Sequence, residues 1–279
     1  MCGLPIDILR AVYLKSLTML LAVIALASIS GCIPSDSTRK VQLPDELKQG
    51  QELMAKRDFN GAVALFDKGI ARDRKQPVYY AAAADSCASA SRWDLAVFYC
   101  EQGLAITPKT DKGALLMFYG TAEVAYSHLG NHARALELVK AARALEDSPM
   151  LKNDEAYVYA QMQQNLDEAL ALSKQAVKEI MKVDASDATV GVCLDTYGWV
   201  LYRKGAYDEA LATLQRSAEL VPEASEVHYH VAMALLAKQR KPEATIELDR
   251  AHRLEPTNVD INNSINELRS QPLVSPEAH

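Results

Sequence analysis

The chain has 279 residues, of which 49% are hydrophobic and 24% charged, a composition typical of one large or two ordinary globular domains with a sizeable core. Its formal net charge is −6. Residues 1–31 contribute +1 through Arg10, Lys15 and Asp7, so the remainder carries −6 − 1 = −7. A nucleic-acid partner is not expected, because binding to phosphates needs a dense basic patch and the sequence has none.

The first 31 residues have the pattern of an export signal. Arg10 and Lys15 precede an apolar run, residues 17–28, LTMLLAVIALAS, and small residues follow. This order of basic, apolar and small residues is typical of a signal peptide. The apolar stretch of residues 17–33 is short for a membrane-spanning helix, which usually needs about 20 residues. We therefore favour a cleaved signal peptide at 1–31, with an uncleaved membrane helix as the alternative.

The apolar run ends in Ile29-Ser30-Gly31-Cys32, which resembles the lipobox of bacterial lipoproteins. The resemblance implies cleavage between Gly31 and Cys32 and attachment of acyl chains to Cys32. Each buried methylene contributes about 0.8 kcal/mol, so two or three acyl chains hold a protein firmly at a membrane. The alternative is an ordinary, unmodified apolar cysteine.

The residue after Cys32 bears on the destination of such a lipoprotein. In some enterobacteria, an Asp at this position favours retention in the inner membrane, whereas this chain has Ile33. The resemblance therefore favours a lipid anchor in the outer membrane, facing the periplasm. Residues 32–44 are polar and bounded by proline, a composition that predicts a short flexible tether.

Beyond the tether, six stretches repeat one pattern of small residues. Their central alanines are spaced 34, 39, 34, 41 and 34 residues apart: Ala62, Ala96, Ala135, Ala169, Ala210 and Ala244. Seven residues after each alanine stands a second small residue: Gly69, Gly103, Ala142, Ala176, Ser217 and Ala251. Small residues seven apart share one helix face, so we expect each pair to admit the close approach of another helix.

Each repeat has the periodicity of two amphipathic helices joined by a tight turn. The best-defined copy spans residues 195–222 and carries Gly198, Gly205, Tyr207, Ala210 and Pro222. It resembles the tetratricopeptide repeat (TPR), a helix-turn-helix unit of 34 residues. The resemblance covers about residues 45–256 and implies an all-α fold, a right-handed superhelical solenoid of about six repeats.

The ends of the repeat region and its irregularities lead to further expectations. Residues 257–270 have a thin apolar stripe among polar residues, which predicts a C-terminal capping helix, and 271–279 are expected to be a disordered tail.

The longer spacings between the central alanines imply insertions near 109–115 and 181–190, which should extend a second helix or its exit loop. Glu123 and Tyr157 replace the usual small residue of a first helix, so their units should pack loosely or be offset.

Two cysteines of the second repeat form a candidate disulfide. In the repeat register, Cys87 on the first helix faces Cys100 on the second, and export would bring the chain into an oxidising space. The alternative is a pair of reduced core cysteines, because facing side chains do not guarantee the Cα separation that a disulfide needs.

Catalytic and metal-binding patterns are absent from the sequence. It contains no GxSxG elbow, phosphate-binding glycine loop or CxxC motif. His228 and His230 lie two apart, hence on different helix faces, and lack metal-ligand spacing to a Cys or carboxylate, so we expect ordinary, partly exposed histidines. We predict neither an enzyme, nor a metal site, nor a cofactor.

A binding surface remains as the predicted functional feature. The TPR resemblance implies a concave groove lined by first helices, and the family's groove positions fall on Trp199, Tyr202, Tyr229 and Met233. The alternative for each is packing between helices. We expect a scaffold or adaptor lipoprotein that binds a protein or peptide during assembly or maintenance of the bacterial cell envelope. A groove that binds glycan is the second hypothesis, since sugars also stack on aromatic rings. The sequence leaves the oligomeric state open.

Overall fold

The computed structural model describes residues 42–270, which form thirteen α-helices and, within that range, no β-strand. The described chain divides into two compact units, residues 42–151 and residues 152–270. The predicted signal peptide, Cys32, most of the tether and the C-terminal tail lie outside the described residues. None of the helices between 42 and 270 has the length and apolar character that crossing a bilayer requires.

The first unit consists mainly of three helical hairpins. They are α1 (Asp45–Ala55) with α2 (Phe59–Ile70), α3 (Pro77–Ser89) with α4 (Trp93–Ile106), and α5 (Lys112–His128) with α6 (His132–Leu145). Buried aromatic side chains, Phe66, Tyr99 and Phe118, fill the space between successive hairpins. The Tyr99 hydroxyl donates to Asp67 at 3.1 Å, which links the second hairpin to the first.

The second unit repeats this arrangement and ends in a single helix. Its helices are α7 (Pro149–Met162), which begins just before the unit, α8 (Leu166–Ile180), α9 (Asp187–Arg203), α10 (Tyr207–Leu220), α11 (Ser225–Ala237), α12 (Lys241–Leu254) and α13 (Val259–Ser270). Leu214 and Leu248 are fully buried in its core. Helix α13 buries Ile261 and Ile265 against this core and presents polar residues outward, so it covers the last hairpin.

Both columns of small residues lie at helix contacts. The six central alanines, one in each second helix, are all 0% exposed. The small residues seven positions later are also buried, among them Gly69, Gly103 and Ser217. The predicted fold class is therefore confirmed: the described chain is all-α, built from helical hairpins in the tetratricopeptide pattern, with a terminal helix.

Gly198 shows how little space these contacts leave. A Cβ atom at this position of α9 would lie 2.7 Å from Leu214 Cγ and 3.3 Å from the Leu214 backbone nitrogen on α10. Any side chain would therefore push the two helices of the hairpin apart. Gly205, in the turn of the same hairpin, has φ +81°, a conformation that favours glycine.

The inserted residues lie partly in the exit loops after α4 and α8, as one of the two expectations had it, but they lengthen first helices and not second helices. The first helices α5 and α9 each have 17 residues, whereas α3 has 13 and α7 has 14. The extra residues are accommodated chiefly as one more turn at the start of these first helices. Asp111 and Ser186 cap the new starts by accepting hydrogen bonds from the backbone N–H groups of Ala114 and Thr189.

The candidate disulfide is not formed in this structure. Cys87 and Cys100 are both free, and both are fully buried. Burial raises the pKa of the Cys87 thiol to about 12, which keeps it protonated and unreactive at neutral pH. In this structure they pack as small hydrophobic side chains, as in the alternative interpretation, and a disulfide in the exported protein stays a prediction.

The contact at Gly198 yields a stability prediction. We expect Gly198→Ala to lower the free energy of unfolding by about 1–2 kcal/mol, because the clash with Leu214 outweighs the gain in helix propensity. Urea unfolding followed by circular dichroism measures the change.

Gly113→Ala is the matched control on α5. A Cβ there has only Asp111 Oδ1 near it, at 3.8 Å, so this substitution should be neutral or stabilise by up to about 1 kcal/mol. Equal effects of the two substitutions would show that the close approach of α9 and α10 does not limit stability.

Candidate functional site

One face of helix α9 carries a stripe of polar and aromatic side chains. Asp195, Trp199, Tyr202 and Arg203 follow one another at spacings of four, three and one. Residues four and seven apart lie on the same side of a helix, so the stripe faces one direction. This side of α9 meets side chains from α11, the first helix of the next hairpin.

Trp199 lies at the centre of the stripe. Its side chain is only 3% exposed. Its ring stacks on Tyr202 and on His230 of α11, with centroids 4.7 and 4.0 Å apart, and the Arg203 guanidinium carbon lies 4.4 Å from the ring centroid. The indole Nε1 is buried and has no hydrogen-bond acceptor. Trp199 therefore supports the surface residues around it and offers little surface of its own.

His230 is enclosed between two carboxylates. Its Nδ1 lies 2.9 Å from Asp195 Oδ1 on α9, and its Nε2 lies 4.0 Å from Glu226 Oε1 one turn earlier on α11. Burial lowers the pKa of His230, but the charge and hydrogen bond of Asp195 and the charge of Glu226 outweigh burial and the opposing charge of Arg203, so the net pKa is raised. The imidazolium form is thus favoured.

A second chain of hydrogen bonds reaches the same place from α7. The Tyr157 hydroxyl donates to Glu226 on α11 and accepts a hydrogen bond from Gln161. Tyr157 and Glu226 are two hairpins apart in sequence, so their contact requires α7, α9 and α11 to curve toward one side within this unit. We call the set that these helices bring together the inner cluster: Tyr157, Asp195, Trp199, Arg203, Glu226 and His230.

Of the four groove residues predicted from sequence, Trp199, Tyr202 and Tyr229 lie at or beside the inner cluster, and the Met233 sulfur lies 3.9 Å from Ser264 Oγ of α13. Tyr202, Tyr229 and Met233 are half-buried, and the Tyr229 ring centroid lies 6.3 Å from that of Trp199. Trp199, by contrast, has the burial of a residue packed between helices, which was its alternative interpretation. A role of these four residues in binding a partner stays a prediction.

The two histidines of α11 differ from the expectation that they are partly exposed. His228 and His230 are each 1% exposed. They do face different sides of the helix: His228 lies 2.6 Å from Glu247 of α12 and 3.0 Å from the Pro222 carbonyl oxygen, whereas His230 faces α9. Buried polar partners, which the sequence pattern does not reveal, make full burial of both rings tolerable.

Sequence reasoning missed most members of the inner cluster, although two signals were available. Tyr157 breaks the small-residue pattern of first helices, and this departure marks the position where α7 reaches α11. Glu226 and His230 stand four apart and therefore share a helix face. The link from these residues to Asp195 had no local signal, because it joins residues 35 positions apart.

The unit of residues 42–151 offers a shallow cleft of about 420 Å³ instead of a polar cluster. Phe59 and Val63 of α2 and Leu95 of α4 line it, together with Arg92. The Arg92 guanidinium lies 4.8 Å from the Phe59 ring centroid, but Asp94 already holds it with contacts of 2.9 and 2.7 Å. The other charged residue of the cleft is Asp67, which accepts a hydrogen bond from the Tyr99 hydroxyl.

No group of three histidine, cysteine, aspartate or glutamate side chains in residues 42–270 is arranged to hold a metal ion.

The position of His230 predicts how stability depends on pH. The pKa of His230 is higher in the folded state than in the unfolded state, where it is about 6.5. The stabilisation that protonated His230 provides is therefore fully present below the unfolded-state pKa and is lost as pH rises through the folded-state pKa. We expect unfolding midpoints to fall as pH rises from 6 to 9. His230→Gln should cost about 1–3 kcal/mol at pH 6 and less at pH 9.

Asp154 on α7 also makes the stability fall as pH rises. Burial raises the pKa of its carboxyl group to about 7, so ionisation of this group opposes folding. The comparison with His230→Gln is therefore made in an Asp154→Asn background. Thermal unfolding at several pH values provides the measurement. A pH profile that His230→Gln leaves unchanged in that background would contradict the assigned charge of His230.

Comparisons with known proteins agree with the geometry of the hairpins. Two sequence models of the tetratricopeptide repeat match the chain, one over residues 147–223 and the other over residues 198–259. Neither match indicates a catalytic family. No curated protein matches the chain significantly.

Two solved structures share the fold over most of the chain. A tetratricopeptide repeat protein from Parabacteroides merdae is 12% identical, with a TM-score of 0.65 and coverage of 92% of this chain and 99% of that chain. PilW, a type IV pilus biogenesis factor, is 13% identical, with a TM-score of 0.55 and coverage of 79% and 97%. Sequence and fold together show that this chain carries tetratricopeptide repeats.

Proposed function

We propose that this protein is a lipid-anchored scaffold or adaptor that binds a protein partner on the face formed by α7, α9 and α11. The observation that carries the proposal is the inner cluster with Tyr202 and Tyr229 beside it. Both tyrosines are half-buried and have their rings close to that of the buried Trp199. They therefore combine a large contact area with a small loss of side-chain freedom on binding, a property common in binding hot spots.

The proposed location is the bacterial cell envelope. The sequence Ile29-Ser30-Gly31-Cys32 supports acylation of Cys32 after signal cleavage, and Ile33 favours the outer membrane. The PilW likeness supports an assembly role in the envelope, because that protein is a pilus biogenesis factor with the same fold. We infer a role in building or maintaining an envelope structure such as a pilus, a secretion system or a polysaccharide exporter.

A glycan is the less favoured occupant of this face. Sugars bind by lying flat against an open aromatic ring. In this unit Tyr202, His230 and Arg203 already contact the Trp199 ring. The two half-buried tyrosines alone provide less stacking surface, so a peptide segment is the better match.

Replacement of the two tyrosines tests the binding face. We expect the Tyr202→Ala, Tyr229→Ala double variant to lose its co-purifying protein partner, with a drop of about tenfold or more in affinity. Cross-linking in cells followed by affinity purification identifies the partner and measures its recovery.

Ile246→Ala is the matched control, because Ile246 is 65% exposed on α12 of the same unit. It should leave recovery of the partner unchanged. If the tyrosine variant kept its protein partner but lost binding to isolated envelope polysaccharide, the glycan hypothesis would replace the adaptor.

Replacement of Cys32 tests the anchor. We expect Cys32→Ser to abolish metabolic labelling with an alkyne analogue of palmitate and to release the protein from the membrane fraction, because no acyl chain can then attach. Cys2→Ser serves as the control and should leave both unchanged, since Cys2 leaves with the signal. Membrane attachment that survives Cys32→Ser would favour the uncleaved helix.

A further inference from the structure

Arg203 is a cation of the inner cluster that has no carboxylate partner. It is the last residue of α9, and no side chain within residues 42–270 accepts a hydrogen bond from its guanidinium or pairs with it as a carboxylate. Its Nε is buried and lacks an acceptor. The Trp199 Nε1, beneath it in a side chain that is 97% buried, lacks one too. Unpaired buried donors are rare in folded proteins and require an explanation.

The two carboxylates of the inner cluster are already engaged. Asp195 lies within hydrogen-bond distance of His230, and Glu226 accepts from Tyr157. The lysines of the neighbouring turns are neutralised as well, because Lys204 pairs with Asp167 and Lys238 pairs with Asp208. Among the charged groups of the inner cluster, the guanidinium of Arg203 therefore still lacks a counter-ion.

The Trp199 ring holds this guanidinium in place. Its carbon lies 4.4 Å from the ring centroid, within the range of a favourable cation–π interaction. A planar guanidinium that rests on an indole loses little further freedom when it pairs with a carboxylate. The site is thus preorganised for an anionic oxygen and does not need to rearrange to bind one.

We propose that Arg203, supported by Trp199, binds the side chain of an aspartate or glutamate within an extended segment of the partner protein. This inference rests on the proposed function and specifies the chemistry of the partner. The aromatic neighbours favour an internal acidic residue over a chain terminus. Tyr202 and Tyr229 lie 4.7 and 6.3 Å from Trp199 between ring centroids, and an internal residue can offer an apolar neighbour to each.

An array of immobilised decapeptides tests the proposal. Each peptide is acetylated and amidated, with Glu, Asp, Gln or Lys at the centre and Leu, Val, Phe or Tyr on both sides. We expect the full-length protein to bind peptides with a central acid, and replacement of that acid by Gln to weaken binding by about tenfold or more, as loss of a charged hydrogen bond predicts. Fluorescence anisotropy of the best peptide gives the affinities in solution.

Variants of two arginines provide the matched pair. Arg203→Gln should abolish the preference for Glu over Gln, and Arg203→Lys should retain part of it because the charge remains. Arg216→Gln removes the same charge from an exposed position on α10 and should leave affinity and preference unchanged. Circular dichroism establishes that each variant is folded.

Three other results would overturn the proposal in distinguishable ways. The first is binding without any preference for a central acid, or with a preference that survives Arg203→Gln. Either form of this result would contradict the pairing of Arg203 with an acidic side chain but would leave the binding face itself in place. A second set of peptides that are not amidated tests the role of the C-terminus. Binding that requires a free C-terminal carboxylate would show that Arg203 binds a chain end and not an internal acidic residue. An array on which no peptide binds would contradict the proposed function and this inference together.

Discussion

The close approach of paired helices at small residues is the constraint on which this structure depends. Alanines such as Ala62 and Ala210 are fully buried, and a Cβ atom at Gly198 would collide with Leu214. Because dense packing tolerates little added volume, these contacts set the distance between the two helices of each hairpin. The same spacing determines where the next hairpin can dock, so the repeat pattern in the sequence becomes a repeated geometry in each unit.

The polar chemistry of the second unit follows from this geometry. Small residues define the packing of α9 against α10, and an adjacent side of α9 faces α11. Asp195, Trp199 and Arg203 lie on that side, where Asp195 meets His230 and Trp199 stacks on it. Burial of so many polar groups is tolerable only because nearly all find partners. Within the inner cluster, Arg203 Nε and Trp199 Nε1 are buried without a partner, and exceptions of this kind are informative about ligands.

The fold could be predicted from sequence to a large extent, because its signals are local and repeated. Six alanines with a small residue seven positions later predict hairpins, and the apolar stripe around Ile261 and Ile265 predicts the terminal helix. The insertions were expected in a second helix or its exit loop, but most of the added residues lengthen α5 and α9, since spacing alone does not say which element is extended. The caps at Asp111 and Ser186 decided that question in favour of the first helices.

The sequence by itself determined the helical periodicity, the turn at Gly205, and the motif at Cys32 that motivates the proposed anchor. These features depend on neighbouring residues, so they can be read along the chain. Only the tertiary structure decided that Trp199 is a buried support, that His230 lies between Asp195 and Glu226, and that Tyr157 reaches across α9. The physical reason is that each of these contacts joins residues on different helices, and their partners depend on how the hairpins stack rather than on local sequence.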